Sequence, residues 1–175
     1  QPLDWLGINY YFDGLFRGLA DEDPTPRVRA YPTATGVTQA PIREVHTDMG
    51  WPITPEGFTE LLVRVHEDYP NHPPIYITEN GCAYDDPVVD GRCADPRRID
   101  YLDLHLRALK DAIDEGVDVR GYFQWSLLDN FEWALGYDKR FGIVHVDFDT
   151  QQRTLRDSAH WYREVIRENA VPARG

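Results

Sequence analysis

Three short apolar stretches end in residues able to do chemistry. Ile75-Tyr-Ile-Thr runs into Glu79-Asn80-Gly81, Leu6-Gly-Ile into Asn9-Tyr10-Tyr11, and Val119-Arg-Gly-Tyr-Phe into Gln124-Trp125-Ser126. A glutamate that closes a run of Ile and Tyr has to be solvated, paired or used. As a bare pattern it more often opens a surface Asn-Gly turn than catalyses a reaction. The stretch Trp125-Ser-Leu-Leu-Asp-Asn-Phe-Glu132-Trp133 is denser, with two Trp, a Phe, an Asp and a Glu in nine residues. Aromatic faces stack on the C–H face of a pyranose and carboxylates hold its hydroxyls. Trp125 and Glu132 therefore have the chemistry of a sugar pocket; the bland alternative is an aromatic cap over a strand end.

The composition narrows the partners. The 175 residues carry 30 acidic against 18 basic side chains, a formal charge of -12. A domain that grips phosphate backbones needs a basic stripe, so neither nucleic acid nor an anionic membrane surface is expected. No apolar run approaches the roughly 18 residues of a membrane span. Gln1 to Leu6 lacks the charged start and apolar core of a secretory signal. A cytoplasmic protein is the expectation, with a secreted one left open. Cys82 and Cys93 are too few for a disulfide scaffold and stand as two free thiols or one local bridge. No further Cys or paired His has the spacing of metal ligands, so no metal is expected. Asp21-Glu22-Asp23 and Asp85-Asp86 read as solvated loops.

The elements that must position these residues alternate. Leu6–Tyr11 reads as a buried strand, and 17–50, rich in Pro, Gly and Thr, as a long surface loop. Thr54 as N-cap and Pro55 in the first turn open a helix with Phe58, Leu61, Leu62 and Val65 on one face, ended by Tyr69-Pro70. Pro74–Glu79 is a second strand. Asp95-Pro96 opens a helix with Ile99, Leu102, Leu106, Leu109 and Ile113 at steps of three and four, and Gly116 ends it. Val119–Ser126 is a third strand, 127–141 an acidic and aromatic loop, and Gly142–Asp147 a short extra strand. A last helix over 156–169 turns Trp161, Val165 and Ile166 inward, leaving 170–175 as a tail. Near-continuously apolar strands alternating with helices predict a parallel sheet covered by helices. A closed barrel takes about 250 residues, so the chain is either a small open α/β domain or part of a barrel.

The motifs decide between these. Ile75-Tyr-Ile-Thr-Glu79-Asn-Gly81 resembles the nucleophile motif of glycoside hydrolase family 1, the β-glucosidase family. Leu6-Gly-Ile-Asn9-Tyr-Tyr11 resembles its sixth-strand motif, and Gly121 to Asp147, with Lys139-Arg-Phe-Gly-Ile143, its eighth-strand region. The resemblance implies an α/β fold, a (β/α)8 barrel of which residues 1–175 are about the last three βα units. It implies a retaining β-glycosidase acting on terminal unphosphorylated β-D-glucosyl residues, and no cofactor. Glu79 corresponds to the nucleophile, Tyr11 to the tyrosine bonded to it, and Asn9 to a neighbouring pocket residue. Trp125 corresponds to the platform under the sugar, Glu132 to the clamp on its O4 and O6 hydroxyls, Trp133 to its neighbour, and Phe141 to a pocket wall. Glu132 and Phe141 together imply an unphosphorylated sugar, because a carboxylate there repels a phosphate.

The family's acid/base glutamate lies in an Asn-Glu-Pro motif that this chain lacks. The partners implied are a β-glucoside and the remaining N-terminal portion of the barrel, and the isolated chain is expected to turn over weakly or not at all. Asp129 and Glu132 are the nearest substitutes for the acid; neither is expected to serve well. A non-catalytic carbohydrate-binding relative and a partner-dependent half-barrel are the alternative functions.

Overall fold

A computed structural model describes residues 2–27, 36–40 and 45–173. Positions 28–35 and 41–44 of the expected long loop, Gln1 of the expected start and the last two residues of the expected tail lie outside them. The elements in chain order are β1 (Leu6–Asn9), β2 (Phe16–Gly18), β3 (Val37–Gln39), α1 (Pro55–Asp68), β4 (Ile75–Asn80), β5 (Val88–Val89), β6 (Arg92–Cys93), α2 (Pro96–Asp114), β7 (Val119–Gln124), β8 (Val144–Val146), β9 (Arg153–Leu155) and α3 (Asp157–Glu168). β1, β4 and β7 form a parallel sheet in that order. Three antiparallel pairs, β2–β3, β5–β6 and β8–β9, decorate it. The first lies in the stretch expected to be a long loop, and the second between Gly81 and Asp95, where no strand was expected. Strands of two or three residues are too short to show alternation, so their sequences read as coil.

Helices cover one face of the sheet. Ile75 and Ile77 of β4 meet Phe58 and Leu62 of α1 and Leu106, Leu109 and Ala112 of α2 in one cluster, joined by Tyr10. Leu61, Ile113 and Ile166 were expected inside and are exposed instead, Ile166 by 64%. They lie at the margins of their apolar stripes, and nothing among the described residues packs over those margins. On the other face of the sheet Trp5 and Phe123 are more than half exposed.

Two helix starts depart from expectation in an informative way. The Thr54 hydroxyl does not cap α1. It accepts the Asp13 N–H at 2.9 Å and pairs with the Tyr10 hydroxyl at 2.9 Å, so it ties the segment after β1 to the helix. Asp95, at the start of α2, caps α3: its carboxylate accepts the Ser158 N–H at 2.8 Å and the Ser158 hydroxyl at 2.5 Å, while Arg98 Nε donates to it at 3.0 Å. The expected tail is tied down as far as Pro172, whose carbonyl accepts from Arg107, and Val171 packs on the core. Both cysteines are free and buried, and burial pushes the Cys82 thiol up to about 12.

His105 of α2 is fully buried, stacked on Tyr101 at 3.9 Å between ring centroids. Its Nδ1 donates to the Tyr101 carbonyl at 2.8 Å, which leaves Nε2 bare and without a partner. Burial lowers its pKa from 6.5 to about 4. The folded state thus keeps the ring neutral where the unfolded chain takes up a proton. Stability falls as pH drops from about 6.5 toward 4, by about 3 kcal/mol in all. His105→Phe keeps the ring and removes this slope. Denaturant unfolding at pH 7 and 4.5 checks it, and an equal acid loss in both proteins refutes it.

Candidate active site

Strict alternation along β4 would put Glu79 on the same face as Ile75 and Ile77, under the helices. The strand breaks that alternation. Ile8 pairs with Ile77 but Asn9 with Glu79, and Ile77 pairs with Tyr122 but Asn80 with Gln124. Against both neighbours β4 carries one extra residue, a bulge over Thr78 and Glu79. Asn80 takes the buried place, and Glu79 turns to the opposite side at the C-terminal end of the sheet.

There the Tyr11 hydroxyl donates to Glu79 Oε2 at 2.7 Å. Burial, the bond to Glu79 and the charges of Glu79 and Glu132 all raise the pKa of this phenol, so it stays a donor. The Tyr11 ring packs against Trp51 at 5.2 Å and Phe141 at 6.2 Å between centroids. A cavity of about 290 Å³ opens in front of the pair, walled by Tyr11, Trp51, Glu79, Trp125, Glu132 and Phe141. Asn130, Phe131 and Trp133 complete its rim, Trp133 being 82% exposed. Burial, and then the charge of Glu79, raise the pKa of the Glu132 carboxyl. Two carboxylates and six aromatic side chains thus converge on one concave site at the C-terminal end of a parallel sheet, where α/β barrels carry their chemistry.

Residues 1–171 match the profile of glycosyl hydrolase family 1. The chain belongs to glycosyl hydrolase family 1. It is 46% identical over 179 residues to a bifunctional β-D-glucosidase/β-D-fucosidase of Bifidobacterium breve, covering 98% of this chain and 38% of that protein. It is 47% identical over 173 residues to β-glucosidase A of Thermotoga maritima, covering 98% of this chain and 36% of that protein. The solved β-glucosidase from Thermotoga maritima in complex with deoxynojirimycin superposes with a TM-score of 0.85 at 46% identity, over 97% of this chain and 36% of that one. The same protein in complex with glucoimidazole superposes at 0.84 and 47%, over 96% and 35%. The chain spans little more than a third of the length of these relatives. Its three βα units are the last three of a (β/α)8 barrel, which explains the sheet's two open edges and its uncovered face.

Within this family 1 segment, the loop after β7 is the most heavily braced part of the site. Trp125 donates its N–H to the Asn80 carbonyl at 2.9 Å, and the Trp125–Ser126 peptide is cis. A side chain on Gly81 would collide with the Trp125 carbonyl oxygen, so only glycine allows the approach. Ser126 N–H donates to Phe141 O and Ile143 N–H to Ser126 O, which closes the base of the loop. At its tip Glu132 N–H donates to Gly136 O at 2.6 Å, around a 3₁₀ turn over Trp133–Leu135.

Asp129, a candidate acid by its place in the sequence, is a brace. It is fully buried between Arg140 at 2.8 Å and Arg156 at 2.9 Å, and accepts the N–H groups of Gly142 and Val146. Burial pushes its pKa up, but both guanidinium groups outweigh that and hold the carboxyl below the usual range. A carboxylate so held cannot serve as a proton donor near neutral pH.

Asn9 does not wall the cavity. It faces the open side of the sheet, across the ladder from Glu79, and accepts the Thr78 hydroxyl at 2.6 Å. Trp51, Asn130 and Phe131 went unremarked in the sequence as site residues. Trp51 stands in a Pro-rich approach to α1 with no periodicity; a turn in which Thr47 N–H donates to Trp51 O, and its stacking on Phe12, carry it to the cavity. The only signal was a lone Trp before Pro52. Among the described residues no three His, Cys, Asp or Glu side chains converge on a point that could hold a metal ion.

Proposed function

We propose that this chain supplies the nucleophile half of a retaining β-glycosidase acting on terminal unphosphorylated β-D-glucosyl residues. The observation that carries the reading is the Tyr11 hydroxyl on Glu79 Oε2, facing an aromatic-walled cavity shared with Glu132. The tyrosine orients the carboxylate and leaves its other oxygen free to attack. That oxygen forms a bond to the anomeric carbon while the bond to the leaving-group oxygen breaks, and an acid protonates that oxygen. Water then attacks the same carbon, the ester bond to Glu79 breaks, and the water proton goes to the group that first acted as acid. Two inversions give retention.

Trp125 offers a face to the sugar ring and Glu132 accepts its hydroxyl protons. Both interactions strengthen if the ring distorts toward the transition state. Glu132 disfavours a 6-phosphate by charge. Among the described residues around this cavity we assign none as the acid/base group: Asp129 is ion-paired, and Glu132 is assigned to the hydroxyls. We assign it to the first five βα units, whether they are continuous with this chain or a separate one.

A 2-deoxy-2-fluoro-β-glucoside with a dinitrophenolate leaving group tests the reading, since it needs no acid for the first step. Intact mass and peptide mapping should find one fluoroglucosyl ester, on Glu79. Saturable glucose binding without that ester would instead support a carbohydrate-binding relative.

A further inference from the structure

The bulge that turns Glu79 into the cavity costs β4 its regular ladder with both neighbours, at the position where the geometry matters most. It also sends the polar Asn80 under the helices, 0% exposed. A buried primary amide needs partners for its oxygen and its NH2 group. Each partner here comes from a different element. Tyr122 of β7 donates its hydroxyl to Asn80 Oδ1 at 2.7 Å. Asn80 Nδ2 donates to the Tyr10 carbonyl at 2.8 Å and to the Tyr101 hydroxyl of α2 at 3.2 Å. The Tyr101 hydroxyl in turn donates to the Tyr11 carbonyl at 3.2 Å. The Asn80 carbonyl receives the Trp125 N–H.

One side chain thus joins the backbone next to Glu79, the backbone on either side of the Tyr10–Tyr11 peptide, and the strand that leads to Trp125. None of these bonds enters the cavity. Burial holds the phenols of Tyr101 and Tyr122 well above their ordinary pKa, so both remain donors across the working range of pH.

We infer that Asn80, Tyr101 and Tyr122 are positioning residues that lock the β4 bulge and so set the Tyr11–Glu79 bond and the aim of the nucleophile. This rests on the reading of Glu79 as nucleophile. Removing one hydroxyl should leave sugar binding almost intact and slow the covalent step, because a small misplacement of a reacting group costs rate far more than affinity.

The test uses the fluoroglucoside above on the full-length protein and measures the labelling rate against reagent concentration. Tyr122→Phe and Tyr101→Phe keep their rings. Each should lower the maximal labelling rate about tenfold while the half-saturating concentration stays within about twofold. Tyr162→Phe is the control: its hydroxyl is bonded to the Tyr122 carbonyl at 3.2 Å, in the same layer but off the Asn80 network, and it should label within about twofold of the wild type. A maximal rate unchanged in both network variants overturns the inference, as does an equal slowing in Tyr162→Phe, which would mean general loosening. No label on the wild-type protein overturns the nucleophile reading itself, and the inference with it.

Discussion

Glu79→Ala should lower turnover of an aryl β-glucoside by about four orders of magnitude in the complete enzyme, while the sugar still binds. On the proposed reading Glu79 is the attacking carboxylate; the Tyr11 hydroxyl is bonded to its Oε2, and the residue lines the cavity. Without it no ester forms, and what remains is positioning by Trp125 and Glu132. The truncation leaves space on the face opposite the leaving group. Added azide should therefore enter there, restore turnover, and give the α-glycosyl azide, because one inversion replaces two. Nuclear magnetic resonance of the product reads the anomeric configuration. A β-azide, or unimpaired hydrolysis by Glu79→Ala, would remove Glu79 from the role assigned to it.

The largest effect on stability should come from Asp129→Ala. The substitution leaves Arg156, fully buried, without its carboxylate, and its Nε already lacks a partner. It also strips the acceptors from Gly142 and Val146 N–H and takes the shortest ion-pair partner from Arg140, which keeps the Val146 carbonyl at 2.8 Å. Breaking a buried ion pair from one side costs about 3–5 kcal/mol. Urea unfolding of the full-length protein measures it.

The sign with pH follows from the direction of the shift. The folded carboxyl titrates below its ordinary value near 3.8. Its contribution is complete above that value and is lost as pH falls through the lower, folded one. At pH 7 Asp129→Ala therefore shows the full loss, and the gap to wild type narrows in strong acid. Because the same brace holds the loop bearing Glu132 and Phe141, half-saturation by substrate should also worsen. A loss under about 1 kcal/mol at pH 7 would reduce the knot to a surface-like pair.

Much of this architecture was legible from local pattern. The steps of three and four over Phe58, Leu62 and Val65, and over Leu102, Leu106 and Leu109, produce helices whose faces do pack inward. The apolar runs before Glu79 and Gln124 are strands of one parallel sheet. The motifs at Leu6–Tyr11, Ile75–Gly81 and Gly121–Asp147 together point to the family, since residue type and order in them are distinctive without any coordinate. The small hairpins were not legible, because pairing such as Val88 with Cys93 is decided by where the chain turns rather than by side-chain period.

The sequence by itself determined the three helices, the three strands of the parallel sheet, their order, and the family to which the chain belongs. These depend on periodicity and motif, which act over a few residues. The tertiary structure alone decided which way Glu79 faces, since alternation would have buried it and only register against two neighbouring strands reveals the bulge. It decided that Asp129 braces a loop between two arginines, that Thr54 and Asp95 serve segments other than their own helices, and that Trp51 joins the cavity wall. Each of those outcomes is a contact between residues far apart in the chain. A carboxylate or a hydroxyl carries the same letter whether it attacks, caps or braces; its partners in space set its charge, its direction and its use.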